Sequence, residues 1–416
     1  MRIARAWRIA VPALAVGAVG GWWAVSTAEP PASPASQAPV QAAAAALDPP
    51  RPEAPPPAPS GPRRGAPFNA QALAERREAL AIAHARLDRA KQILASYQVS
   101  TRYPYDSRPA SEHGDQWIAH PVLASDGPLR MPGETPAPGV HIHTTQQAVF
   151  ASGAGAVALT IAALDDDGNV VPLRILGSVT HAPVDVAAPP RTSPPPPVTQ
   201  RFVDDGTQGD ARAGDGTWTT RLQPAAEGFA GWAGLVRTEL TVQAAGTQGY
   251  VAFDVVYAPE TPATWAGPAR EALEDGSLNL ALPLQVALPG RYVVTGRVDD
   301  AQGKPFALLS FNEELAAGPQ QVRFTIFGRL VRDLKPAFPL TLHDVDGFLL
   351  KPDTYPDRAL LPPRDGVVLT TRKYAVGMFS DAAWQSAETA RYVAELGKDV
   401  AAAQTQVDVL EKQAGP

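Results

Sequence analysis

The chain contains no cysteine in 416 residues. That absence excludes disulfide frameworks, thiolate catalysis, cysteine-based zinc sites and cysteine-ligated iron–sulfur clusters. It also excludes lipoprotein anchoring and other thiol lipidation, because each modifies a cysteine. Lysine is scarce: seven of the 36 basic residues, so arginine carries most of the positive charge. With a formal net charge of −6, a broadly basic nucleic-acid-binding surface is not expected. Catalytic signatures are missing as well. There is no G-x-S-x-G elbow, H-E-x-x-H pair, Walker loop or G-x-G-x-x-G after a strand. A Ser–His–Asp or paired-carboxylate site assembled from distant segments stays open, since such sites are defined by geometry.

What is abundant is proline, 44 residues in all, and its distribution divides the chain. Arg2, Arg5 and Arg8 form a basic flank, and Ile9 to Ala28 then runs without a charge. Charged groups are costly in lipid, so this pattern predicts membrane targeting over 1–28. Ser26-Thr27-Ala28 fits a signal-peptidase site. The length of the run, with Trp22 and Trp23 near its far end, fits an uncleaved anchor. Either outcome exports the rest of the chain. The expected location is the cell envelope: periplasmic and held to the inner membrane, or secreted if cleavage follows Ala28.

Residues 29–67 hold 13 prolines in 39 positions. Proline fixes φ and removes an amide donor, so a disordered, extended Pro/Ala-rich linker is expected. A helix follows from an Asn69 cap to about Tyr97, with Leu73, Leu80, Leu87 and Leu94 recurring every seventh residue. It opens a lead segment spanning 68–145. A matching amphipathic helix is expected at 380–412. There Thr389, Val393, Leu396, Val400, Ala403, Val407 and Leu410 alternate by four and three. Each helix is expected to pack on the β modules or on the other helix. Weak self-association through the C-terminal seam is the alternative.

Between the helices the apolar period drops toward two. Ala156–Ile161, the Asp165-Asp166-Asp167-Gly168-Asn169 cluster and Val170–Val179 read as a hairpin. Short strands at Thr217–Leu222, Leu235–Val242 and Tyr250–Tyr257 complete a first module over 146–259. Residues 260–275 read as a linker. A second module over 276–376 contains strands at Leu278–Leu288, Tyr292–Val298 and Phe306–Phe311, and His343-Asp344 near Asp346 reads as a turn. The expected fold is mainly β: two tandem antiparallel sandwiches of immunoglobulin-like size, without a disulfide.

One segment carries most of the ligand chemistry. Phe202 to Trp218 contains Asp204, Asp205, Asp210 and Asp215 among Gly206, Gly209, Gly214 and Gly216. The glycines permit positive φ and the carboxylates can cap backbone amides, which predicts successive tight turns. The same four aspartates are hard oxygen donors and form the candidate calcium site, although the EF-hand spacing is absent. His141 and His143 would share a strand face and could chelate a transition metal, with His113 or His120 as a third donor, but a polar strand face without metal is the expected reading. Trp232, Trp265, Tyr355 and Trp384 could stack on sugars or peptides, although such residues more often fill cores or interdomain contacts.

The Phe202–Trp218 segment resembles the Asp/Gly hairpin of immunoglobulin-like domains in bacterial secreted proteins of the choice-of-anchor X type. Gly290 to Arg329, with its Asp-x-x-Gly-Lys-Pro turn, resembles the companion module. Together with Tyr103–Trp117 the likeness extends over about Tyr103 to Ala375, and it is similar to a gammaproteobacterial envelope family of unknown function. It implies tandem immunoglobulin-like domains and an envelope location, and it implies no activity. The expected function is non-enzymatic: a structural or protein- or ligand-binding envelope protein, with an envelope protein or glycan as partner. A secreted adhesin-like protein is the near alternative. A hydrolase with a site between the modules is the alternative from another class.

Overall fold

The computed structural model describes residues 70–183 and 193–414. The expected targeting segment, the Pro/Ala-rich linker and the Asn69 cap lie outside the described residues. Among the described residues no helix is long and apolar enough to cross a membrane. The described chain is mainly β, with several antiparallel sheets between two long terminal helices.

The first module is two sheets facing each other. One contains Leu123–Pro128, His141–Gln146 and Val157–Leu164, with Val170–Val171 and Trp218–Leu222 also pairing on Val157–Leu164. The other runs in the order Phe150–Ser152, Thr247–Ala258, Gly234–Ala244, Leu173–His181, Val198–Thr199. Strand Gly234–Ala244 shows why the sheets close. Its side chains alternate across the pleat, so Val236, Leu240 and Val242 are fully buried while Arg237 and Glu239 face outward. The buried row meets Leu159, Ile161 and Leu222 of the opposing sheet. Each such side chain contributes roughly 1.5–3 kcal/mol through burial, and this core replaces any disulfide.

The second module repeats the plan. Ser277–Val286 buries Leu278, Leu280, Leu282, Leu284 and Val286 on one face, a strict period of two. It pairs with Ala263–Trp265 and Arg270–Glu274 on one side and Gly318–Ile326 on the other. The facing sheet runs Ser107–Pro109, Pro305–Leu315, Gly290–Asp299, Thr341–Leu350, and both Arg358–Leu360 and Arg364–Thr370 pair with that last strand. The leucine row packs on Val294, Val298, Phe324 and Leu342.

Three expectations are corrected here. Residues 260–275 are not a linker but carry two strands of the second module. Asp275 and Gly276 both take positive φ, which folds Arg270–Glu274 back onto the leucine strand. A Cβ on Gly276 would also stand 2.7 Å from the Ser380 amide nitrogen, so glycine is required. The first module begins before 146, because Leu123–Pro128 and His141–Gln146 pair into its sheet. His343-Asp344 is no turn between strands. Strand Thr341–Leu350 runs through it with irregular register, and Asp344 alone takes a positive φ of 48°.

The lead segment serves the second module. Ser107–Pro109 extends the edge of Pro305–Leu315, Arg102 and Tyr103 donate to Asp333 at 2.9 and 3.0 Å, and Phe327 N–H donates to Ser107 Oγ. The chain therefore touches the second module, builds the first, and returns. The helices Ala70–Ser100 and Ala387–Ala414 pack antiparallel, with Ala83 and Leu87 against Ala403 and Val407, and Tyr97 beside Tyr392. Ser386 Oγ caps the second helix by accepting from Thr389 N–H. Its apolar seam is thus occupied by the chain's own N-terminal helix.

Candidate binding cleft between the two modules

The Asp/Gly segment folds as a stitched loop. Asp204 accepts the amides of Gly214, Asp215 and Gly216 at 2.8, 3.2 and 3.1 Å. Asp210 accepts those of Gly206 and Arg212, and Asp215 that of Thr217. The carboxylates of Asp204, Asp210 and Asp215 come within 4.8 Å of one another. Asp205 does not join them. It turns to the Thr207 hydroxyl and amide, and those bonds hold its carboxyl below the usual range.

The histidines separate rather than gather. His141 pairs with Asp166 at 2.8 Å and His143 with Asp126 at 2.7 Å, each a strand side chain reaching a neighbouring turn or edge. His113 contacts Gln116, and His120 lies elsewhere, against Asp365. Of the aromatic candidates, Trp232 is buried and donates to Leu235 O, and Trp265 donates to Pro362 O. Tyr355 is exposed.

A concavity lies where the modules meet. Just after strand His141–Gln146 the chain crosses from one sheet of the first module to the other, entering Phe150–Ser152 parallel to Val256–Ala258. Gln146 Nε2 holds this crossing by donating to Ala148 O and Asp254 O, both at 2.8 Å. The buried Tyr257 hydroxyl donates to Gly153 O. Opposite stand Gly347–Phe348 and 360–363 of the second module, and the space between has a volume of about 570 Å³. Its walls are mostly apolar: Val149, Phe150, Phe348, Leu360 and Leu361 among them.

The two walls are tied at one end. Arg358 places its guanidinium over Phe150 of the first module and Phe348 of the second, 4.7 and 4.8 Å from the ring centres, while Asp357 holds it with two bonds of 2.9 Å. Leu360 N–H donates to Ser152 Oγ across the junction at 2.7 Å. On the floor, a Cβ at Gly347 would stand 2.6 Å from Val293 O, so the backbone approach needs glycine.

Polar groups enter at a few points. Asp346 is 29% exposed and accepts from the buried Arg297 Nη1 at 2.8 Å through Oδ2. Burial pushes the Asp346 carboxyl up, against the opposing pull of Arg297. Arg297 also donates to Gln116 O and Asp344 O, so it is spoken for on the side away from the cleft. His120 Nε2 sits 3.5 Å from Asp365 Oδ1. Each histidine of the described residues faces a carboxylate except His113, which contacts Gln116. An apolar cavity of this size with a few convergent polar groups can bind a small ligand. Sequence reasoning missed Asp346 and Asp365. The available signal was Arg297, a guanidinium between Gly296 and Val298 in a mostly buried stretch of strand, which demands a carboxylate partner.

No family model and no curated protein matches the chain. Among solved structures it is similar to a DUF4785 family protein from Legionella pneumophila, at TM-score 0.36 and 11% identity, over 55% of this chain and 57% of that one. It is also similar to the Yersinia pseudotuberculosis adhesin InvE, at TM-score 0.17 and 11% identity, over 54% and 58%. A DUF3823 family protein from Bacteroides ovatus matches at TM-score 0.17 and 14% identity, over 50% of this chain and 97% of that one. The chain thus spans less than two thirds of the length of the first two.

Proposed function

We propose that this chain is a non-enzymatic protein of the bacterial cell envelope whose two immunoglobulin-like modules form a rigid binding scaffold, with the cleft between them as the ligand site. The observation that carries the reading is the cleft itself: about 570 Å³, walled by apolar side chains, with both modules contributing. The strand pairing supports the immunoglobulin-like assignment. In the first module Val157–Leu164 lies between His141–Gln146 and Trp218–Leu222, and the facing sheet places Phe150–Ser152 parallel to the last strand. The resemblance of Phe202–Trp218 to choice-of-anchor X domains points the same way. The basic flank and apolar run at 1–28 support export, with the Pro/Ala-rich segment as spacer. Peptides upstream of Ala28 in a membrane fraction are the expected result, and a mature terminus at Glu29 means secretion instead.

The binding reading is tested with an environment-sensitive apolar dye. Saturable fluorescence enhancement is expected with the intact protein, and Ala154→Trp, which fills the cleft from an exposed wall position, should remove it. Enhancement unchanged by Ala154→Trp refutes the cleft as the site. The specific observation favouring a hydrolase is the meeting of His120, Asp365 and Asp346 around one cavity. Turnover of envelope glycan or protein that is lost in His120→Ala would replace the binding reading with that one.

A further inference from the structure

The cleft has a charge asymmetry that selects among ligands. Its lining contains two carboxylates, Asp346 and Asp365, and one imidazole, His120, and neither a lysine nor an arginine. Three guanidinium groups stand close to the lining: Arg364, between Pro363 and Asp365, lies over the Trp265 ring at 5.7 Å, and the other two are held by carboxylates. Arg297 stands behind Asp346, fixed to Gln116 O and Asp344 O as well as to the Asp346 carboxylate. Arg358 is held by Asp357 between two aromatic rings. Arg297 bonds Asp346 through Oδ2, and the Asp365 side chain is 71% exposed, so carboxylate oxygen stays accessible at the polar end. The opposite walls offer hydrocarbon.

Resting on the cleft as the binding site, we propose that its ligand is a small apolar amine, its hydrocarbon body against Phe348 and Leu360 and its ammonium group between Asp346 and Asp365. A carboxylate or phosphate head would meet two like charges in a partly desolvated site. A hydroxyl head would forgo the charge-assisted bonds that roughly double the strength of a neutral hydrogen bond. The desolvation that pushes the Asp346 carboxyl up is offset when a second cation enters beside it. The approaching ammonium and the ionised carboxylate therefore stabilise each other.

The experiment compares decylamine, decanol and decanoate, each titrated calorimetrically into the intact protein, Ala154→Trp, Asp365→Asn and Asp346→Asn. The expected order is amine over alcohol by tenfold or more, with decanoate weakest. Asp365→Asn, at an exposed side chain, should reduce the amine preference several-fold while leaving decanol affinity within twofold. Asp346→Asn should do the same; should it unfold the protein by orphaning Arg297, Asp365→Asn and raised salt still test the proposal. Equal affinities for the three probes, all lost in Ala154→Trp, overturn the amine while the cleft stands as a site. Preferential binding of decanoate also overturns it. No saturable binding of any probe overturns both this inference and the cleft reading.

Discussion

Asp204 commits both carboxylate oxygens to three amides of its own loop, and Asp205, its neighbour in sequence, bonds only an exposed threonine. Adjacent identical residues therefore do unequal work. Asp204→Ala removes the side chain that caps three loop amides and should cost about 0.5–2 kcal/mol, read as a lower urea midpoint at unchanged slope. Asp205→Ala should stay within about 0.5 kcal/mol, as surface changes do. Because amides already occupy the oxygens of Asp204, adding a chelator should leave the melting temperature unchanged. A chelator-induced drop would instead reveal a cation favouring the folded state.

At the level of elements, the lead segment is the least conventional part of the fold. It closes the second module with a three-residue strand and a polar clasp to Asp333. Burial opposes ionisation of Asp333, but the bonds from Arg102 and Tyr103 prevail, and its carboxyl is held below the usual range. A lowered carboxyl contributes stability that is present above the ordinary carboxylate value and lost as pH falls through the lowered one. Asp333→Asn should therefore melt about 2–4 °C lower at neutral pH, corresponding to about 1 kcal/mol in a protein of this size. That difference should shrink as the buffer is taken below the ordinary carboxylate value. A difference that persists unchanged in acid would assign the effect to packing. The terminal helices add a second closure, with a small seam whose fully buried members are Ala83, Leu87, Ala403 and Val407.

The whole molecule depends on how firmly the modules hold each other. Among the described residues their polar ties include Arg358 between the rings of Phe150 and Phe348 and the Leu360–Ser152 bond. Arg358→Ala removes a cation that touches both modules and is half-buried, so packing is lost along with charge. The variant should show a larger radius of gyration by small-angle scattering, and its cleft should bind the apolar dye more weakly. Unaltered scattering would mean that the apolar contacts alone set the angle between modules.

The parts of this protein that could be read in advance are those where one strand or helix records its own burial. The row from Leu278 to Val286 alternates because a pleated strand shows one face to the core, and the leucines at 80 and 87 recur because a helix turns its seam to a partner. The Asp165–Asn169 turn is likewise local: Asp165 caps the amides of Asp167 and Asn169. Ser107–Pro109 could not be found this way, since three residues carry no period and their partners are Ala307, Leu308 and Leu309. The strands within 260–275 hid behind prolines; the pairing of Arg270–Glu274 rests on a two-residue turn, and Ala263–Trp265 pairs at the far end of the leucine strand. Most of all, the cleft draws on His120, the crossing near Phe150, and Asp346 to Asp365. Periodicity reports burial along a single element, whereas a cavity depends on how separately folded sheets dock, and no local pattern encodes that angle.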